Sequence, residues 1–212
     1  MSDRSAPRVA VLGVGLIGGS IGLAARARLG AEVAGYDPDP ATREAALATG
    51  AADTATDSVA AACEDAEVVF CAAPVGRLPE LAAAALEHSG PDTAITDVGS
   101  TKREIVAAVG ADERFVGGHP LAGAETAGVA NARADLFEGA TWYLTPTAGS
   151  DGVLYDRLQR AVAGLGARPQ AIDAAEHDRL MATVSGMPHA VANALVAEAA
   201  ADLARGERVP EV

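Results

Sequence analysis

The sequence predicts an α/β protein: a doubly wound, mainly parallel sheet with helices on both faces, followed by the start of an all-helical region. Three observations carry this expectation. Short apolar runs alternate with Ala-rich helical stretches from Arg8 to Gly117. A glycine-rich turn, Gly13 to Gly18, directly follows the first apolar run. Beyond Ala174 the strand signal disappears, while Ala, Leu, Val and Met recur at helical spacing. Parallel strands need crossovers and helices usually supply them, so the alternation reads as strand and helix units sharing one sheet.

Taken in order, Arg8 to Leu12 reads as a buried strand and Leu16 to Leu29 as an apolar helix. Glu32 to Tyr36 is the next strand. Asp37-Pro38-Asp39-Pro40 breaks the chain, and Ala41 to Ala48 is helical, closed by Gly50 as a left-handed stop. Glu67 to Ala72 is a strand ending at Pro74, Leu78 to His88 a helix, and Thr93 to Asp97 a strand. A helix from Thr101 to Val109 and a strand at Arg114 to Gly117 complete the alternating half. Trp142 to Thr145 and Ala167 to Ile172 read as peripheral strands, with a helix over Asp151 to Leu165 between them. Ala174 to Arg205 reads as one long helix or two, interrupted at Pro188. The expected division is therefore a nucleotide-binding-type domain over 1–172 and a helical domain beginning at 173–212, incomplete within these residues or completed by a partner chain.

Composition narrows the function classes. At 212 residues one or two domains are expected, with enough chain for a sizeable core. Hydrophobic residues make up 50% of the chain, which argues against disorder. The 16 Lys and Arg against 29 Asp and Glu leave a net charge of −13, which offers no basic field for a nucleic-acid partner. Cys63 and Cys71 are too few for a disulfide framework or a four-cysteine zinc site, so no metal is expected and the compartment reads as reducing. The apolar stretch Val9 to Leu23 mimics a signal-peptide core, but its glycine spacing fits a folded turn, and Arg4 and Arg8 are offset by Asp3. No charge-free apolar run reaches the roughly 20 residues of a membrane span, so a cytoplasmic protein without a membrane partner is expected.

Gly13-Val14-Gly15-Leu16-Ile17-Gly18 is a G-x-G-x-x-G between a strand and a helix. In such a turn the first glycine permits the bend, the second lets backbone approach a pyrophosphate, and the third brings helix and strand together. Leu16 and Ile17 open the helix, whose N-terminus faces the phosphates. Asp37 ends the next strand, roughly 20 residues beyond the last glycine, where a carboxylate accepts from both ribose hydroxyls. That combination reads as a Rossmann-type site for NAD. A 2′-phosphate would be repelled, although Arg43 lies close enough in sequence to soften the preference. Ala73-Pro74, closing the third strand, reaches the same edge and is assigned to the cofactor too. The plainer reading is a packing turn with Asp37 as a helix cap.

Four histidines are present. His88 ends an acidic helix and reads as solvated. His119, in Gly117-Gly118-His119-Pro120-Leu121-Ala122-Gly123, is expected directly after a parallel strand, where ligands sit. The flanking glycines and Pro120 would set the backbone and clear space for a substrate, and an imidazole accepts a proton near neutral pH. A buried structural histidine is the competing reading. Thr96 to Lys102 (TDVGSTK) occupies the same edge one strand earlier, with Ser100 or Thr101 expected to cap the following helix. Pro188 should kink its helix and turn His189 toward the cleft; a packed histidine at the kink is the alternative.

Together, Gly13 to Ser20 (GVGLIGGS), Thr96 to Lys102 (TDVGSTK), Gly117 to Gly123 (GGHPLAG) and Ser185 to His189 (SGMPH) resemble the prephenate/arogenate dehydrogenase family of tyrosine biosynthesis across essentially the whole chain. The resemblance implies NAD-dependent oxidative decarboxylation and a homodimer formed through the helical domain. It implies that His119 is the catalytic base on the substrate hydroxyl and that Ser100 bonds the same hydroxyl and His119. It places His189 and Ser185 in the substrate pocket, with Lys102 a partial source of positive charge. Glu125 is a candidate sensor of the substrate's side chain, which is a keto acid in prephenate and an amino acid in arogenate. His177-Asp178 also matches a family pattern and reads as capping and packing.

Two departures stand out. Gly186 occupies a position where the family usually has histidine, and the family's substrate-binding arginine lies beyond Val212. Besides the working dehydrogenase, the sequence therefore admits a truncated or degenerate NAD-binding module without efficient turnover. A third reading is a related dehydrogenase acting on another 3-hydroxy acid or an imine, which the HPLAG and SGMPH motifs disfavour.

Overall fold

The computed structural model describes residues 6–205. The strands are β1 (Arg8–Leu12), β2 (Glu32–Tyr36), β3 (Thr54–Thr56), β4 (Val68–Cys71), β5 (Ala94–Asp97), β6 (Phe115–Pro120), β7 (Thr141–Thr145) and β8 (Arg168–Ala171). They form one sheet in the order β3-β2-β1-β4-β5-β6-β7-β8, parallel throughout except between β6 and β7. The chain reverses direction across the sheet between β1 and β4, and the crevice at that switch point, beyond the carboxyl ends of the strands, is where open α/β sheets hold ligands.

The strands are buried on both faces because their side chains alternate between two cores. Val9, Val11, Phe70 and Val116 meet the helix α1 (Leu16–Ala24) and the helix α6 (Gly152–Gly164) on one side. Ala10, Leu12, Val69 and Ile95 meet α4 (Leu78–His88) and α5 (Arg103–Val109) on the other. Each fully buried Leu or Ile contributes on the order of 1.5–3 kcal/mol. Small residues on α4, Ala82 and Ala85, let it lie close to the sheet. The chain's single Trp, Trp142, is wholly buried against Phe70 and Phe137.

The structure corrects several expectations. The helix expected over Leu16 to Leu29 passes into a wide π-turn at Ala25–Leu29, closed by Gly30 in the left-handed region. The short elements β3 and α3 (Val59–Cys63) were not expected; they complete a third strand-helix crossover, with Ser58 capping α3. The strand β6 continues to Pro120, because beyond Val116 it leaves its parallel partner β5 and pairs antiparallel with β7, so His119 lies in a strand opposite Tyr143 and not after one. The last helical run is α7 (Ala174–Met181), a π-turn at Ala182–Gly186, and α8 (Met187–Arg205). The interruption thus precedes Pro188, where the wide turn absorbs the backbone position that proline leaves without an N–H. The run Ala174–Leu203 has the length and composition to cross a membrane once two charges are allowed, and 6% of its most apolar window is buried. The lead at 1–5 and the segment 206–212 lie outside the described residues.

Candidate active site

Two depressions line the carboxyl edge of the sheet. The first, of about 650 Å³, lies over the ends of β1, β2 and β4 and is bordered by Gly13, Gly15, Asp37, Ala73 and Pro74. The turn is built as its spacing predicts. Gly13 has φ +99°, and a Cβ there would stand 2.4 Å from the Ala72 carbonyl oxygen. A Cβ on Gly18 would be 1.9 Å from the Gly13 carbonyl oxygen, so this glycine seats α1 against the turn. A Cβ on Gly15 would meet nothing within 4 Å, so the space that a phosphate would use is open there, at the start of α1. Leu16 and Ile17 begin α1 but do not border the depression.

Asp37 is fixed from below. Its Oδ2 accepts from the Val14 amide (3.2 Å) and its Oδ1 from the Asp39 amide (3.0 Å), tying the end of β2 to the glycine turn. Asp39 is the residue that caps α2 (Pro40–Ala48). Arg43 donates to the carbonyl oxygens of Asp37 (2.7 Å) and Pro38 (3.1 Å), so its guanidinium braces this bend from the backbone side. Arg77, a cation bordering the same depression and paired with Glu80 at 3.3 Å, went unnoticed in the sequence because it belongs to no motif.

The second depression, of about 530 Å³, lies over β5 and β6 and against α7 and the π-turn; Ser100, His119, Asp178, Met181, Ser185 and Gly186 border it. The structure brings Ser100, His119 and Ser185 to one cleft, and no hydrogen bond joins Ser100 to His119. His189 lies further along α8, exposed, with Nδ1 donating to the Ser185 carbonyl oxygen at 2.7 Å, and is not among the bordering residues. Glu125 is exposed on the loop after β6 and also stands outside the border. A side chain at Gly186 would find space, since a Cβ there has only the Met181 carbonyl oxygen within reach, at 3.7 Å.

Lys102 corrects the sequence reading. It is fully buried, donates to the Asp97 carboxylate and to the Gly118 carbonyl oxygen (2.7 Å), and presents no charge to the cleft. Asp97 also accepts from the Gly118 amide (3.0 Å) and the Gly99 amide (2.7 Å), locking the Ser100 loop to the His119 strand. Burial raises the Asp97 carboxyl and lowers the Lys102 ammonium from their ordinary values, against the attraction between them. The glycines before His119 serve this packing and not substrate space: a Cβ on Gly118 would stand 2.5 Å from both the Asp97 carbonyl oxygen and Thr96 Oγ1. No cation is among the described residues bordering the cleft.

Nor do Ser100 and Thr101 cap α5. The Asp178 carboxylate, from α7, accepts from the Lys102 amide (2.8 Å) and the Arg103 amide (3.0 Å) instead. The same carboxylate meets His177 Nδ1 at 2.9 Å, and His177 Nε2 stands 2.9 Å from His119 Nδ1. His177 is fully buried, with Tyr143 edge-on to its ring. The dipeptide His177-Asp178 therefore belongs to the site; adjacency of its two polar side chains at a helix start was the available signal. Burial first, then the neighbouring His177 and Lys102, lowers the His119 imidazole to about 4, with Asp178 pulling the other way. His119 is thus an uncharged acceptor at neutral pH.

A glycine turn, an acid closing the second strand and a histidine on the same sheet edge define the class: a Rossmann-type nucleotide-binding domain with a histidine-bordered cleft beside the nucleotide turn. Residues 21–171 match the model of the prephenate dehydrogenase nucleotide-binding domain, and residues 173–210 that of the prephenate dehydrogenase dimerization domain. The chain belongs to the prephenate dehydrogenase family. It is 37% identical over 197 residues to the prephenate dehydrogenase of Bacillus subtilis (strain 168), covering 89% of this chain and 52% of that protein. Among solved structures it is similar to prephenate dehydrogenase from A. aeolicus in complex with hydroxyphenyl propionate and NAD+ (TM-score 0.86, 32% identity, 93% of this chain and 70% of that one). It is also similar to Synechocystis arogenate dehydrogenase (TM-score 0.80, 30% identity, 90% and 68%). The chain spans about half the length of the curated relatives it matches.

Proposed function

We propose that this chain carries the NAD site and the catalytic base of an enzyme that oxidatively decarboxylates prephenate or arogenate in tyrosine biosynthesis, giving 4-hydroxyphenylpyruvate or tyrosine. The observation that carries the reading is the His119 ring at the cleft: its Nδ1 is engaged by His177, and its Nε2 is neither bonded nor among the buried unpartnered atoms. The open backbone at Gly15, the left-handed Gly13 and the tethered Asp37 fit a dinucleotide with unphosphorylated ribose. Bound there, NAD+ supplies the hydride acceptor.

His119 accepts the proton of the ring hydroxyl as the C–H bond at the same carbon gives up hydride. Ser100 orients that hydroxyl. The carbon–carbon bond to the ring carboxylate breaks, carbon dioxide leaves, and the electron pair completes the aromatic ring, whose phenolate oxygen takes the proton back from His119. Aromatisation supplies the driving force, so the protein's work is to orient and deprotonate.

We further infer that 1–172 forms the nucleotide-binding domain and 173–212 begins a helical domain through which two copies pair. Val184, Met187, Val191 and Leu195 form an exposed apolar stripe at helical spacing, which supports this. A nucleotide-binding module with poor turnover is the second reading. It is favoured by the absence of a cation at the described cleft border, since a dianionic substrate needs a local counter-charge.

The test is NADH formation by this chain with prephenate and arogenate in parallel, beside calorimetric NAD binding. Turnover with either substrate, reduced by orders of magnitude in His119→Asn with NAD affinity retained, supports the enzyme. NAD binding without NADH formation supports the module.

A further inference from the structure

We propose that His177 and Asp178 are positioning residues that hold His119 in a single tautomer, with its proton on Nδ1 and the Nε2 lone pair turned to the cleft. The proposal rests on the reading of His119 as the base and deepens it.

The assignment follows from counting donors. Asp178 accepts from two backbone amides, those of Lys102 at 2.8 Å and Arg103 at 3.0 Å. Burial alone would raise its carboxyl, but the bonds from His177, Arg103 and Lys102 outweigh burial and hold it below the ordinary carboxylate value. An ionised carboxylate only accepts, so the proton in its 2.9 Å contact with His177 Nδ1 belongs to the imidazole. His177 is fully buried and a neutral imidazole carries one N–H, so its Nε2 accepts. The atom facing it at 2.9 Å, His119 Nδ1, therefore donates. The remaining nitrogen of His119 is left with its lone pair at the cleft.

The surroundings favour this state. Lys102 and its partner Asp97 lie beneath the His119 strand, Tyr143 of β7 packs edge-on against His177, and Asp178 faces the pair from α7. A positive charge on His119 beside the Lys102 ammonium is disfavoured, so the His119 imidazole stays neutral. The opposite tautomer would present an N–H to the substrate hydroxyl and no base. One carboxylate thus caps α5, which follows the Ser100 loop, and sets the proton position on His119 in the next strand.

Long-range proton–nitrogen correlation spectra of the labelled chain read the tautomer directly, with His119→Asn and His177→Asn assigning the rings. For the native protein a pyrrole-type Nδ1 and a pyridine-type Nε2 on His119 are expected; the reverse pattern overturns the proposal. In Asp178→Ala the acceptor that holds the His177 proton on Nδ1 is gone. Its Nε2 is then free to donate, and a His119 form with the proton on Nε2 is expected to appear, with turnover reduced and NAD affinity retained. A His119 ring that stays wholly in the Nδ1–H form in folded Asp178→Ala also overturns the proposal. If Asp178→Ala does not fold, the native spectrum decides alone. Appearance of the Nε2–H form with unchanged NADH formation leaves the positioning role standing and removes His119 as the base.

Discussion

The Lys102 ammonium and the Asp97 carboxylate meet in a wholly enclosed ion pair beneath the cleft, and both also bond the Gly118 peptide. Removing one partner leaves a charge in the core with its counter-ion gone. Lys102→Met is therefore expected to lower the free energy of unfolding by about 3–5 kcal/mol. Urea denaturation of Lys102→Met beside Asp97→Asn/Lys102→Met checks the cause. The double variant should recover part of the loss, and no recovery would place the cost elsewhere.

Two glycines of the same turn should behave oppositely. Gly15→Ala adds a methyl to open space and should leave the melting temperature nearly unchanged while weakening NAD binding at least tenfold, about 1.4 kcal/mol. Gly18→Ala drives a methyl against the Gly13 carbonyl and should destabilise the fold by about 1–3 kcal/mol. Thermal melts and calorimetry separate the two.

Asp37 should set cofactor preference. Thermal shifts are expected to be larger with NAD than with NADP, because the tethered carboxylate repels a 2′-phosphate. Asp37→Ser should narrow the gap. Equal shifts in the native chain would remove Asp37 from that role.

The His119 imidazole, lowered from an ordinary 6.5 to about 4, should stay neutral through mildly acidic solution. In NMR titration its ring protons should move with a midpoint near 4; a midpoint near 6.5 would show that the ring is not shielded as described. Between those values the unfolded chain binds the proton and the folded chain does not. This histidine's contribution to stability therefore declines as pH falls from 6.5 toward 4 and is level below. His119→Asn should flatten that part of the stability profile.

The exposed stripe on α8, with Val191 55%, Leu195 67% and Val196 69% exposed, should be covered by a second copy in solution. Analytical ultracentrifugation is expected to give a dimer, and Leu195→Arg a monomer with NAD affinity intact. A native chain that sediments as a monomer at all concentrations would exclude this pairing.

Local chemistry was legible wherever it rests on spacing. The three glycines and Asp37 were assigned from the sequence, and the structure gives each a matching geometry, because a tight turn leaves only one way to satisfy φ, close approach and phosphate access. Strand and helix order followed from alternation. Short pieces such as β3 and α3 escaped, since three to five residues carry too little periodicity. The reading of Lys102 as a partial source of charge for the substrate failed for a different reason: nothing local says that Asp97, five residues earlier, lies beside it in the core.

By itself the sequence determined the α/β alternation, the nucleotide turn and the identity of the histidine at the sheet edge, all set by neighbours along the chain. Only the tertiary structure decided what surrounds that histidine. Asp178 reaches α5 and His177 reaches His119 across 76 and 58 positions of sequence. Proton position and charge state depend on which donors and acceptors lie within about 3 Å in space, a distance that sequence separation does not encode.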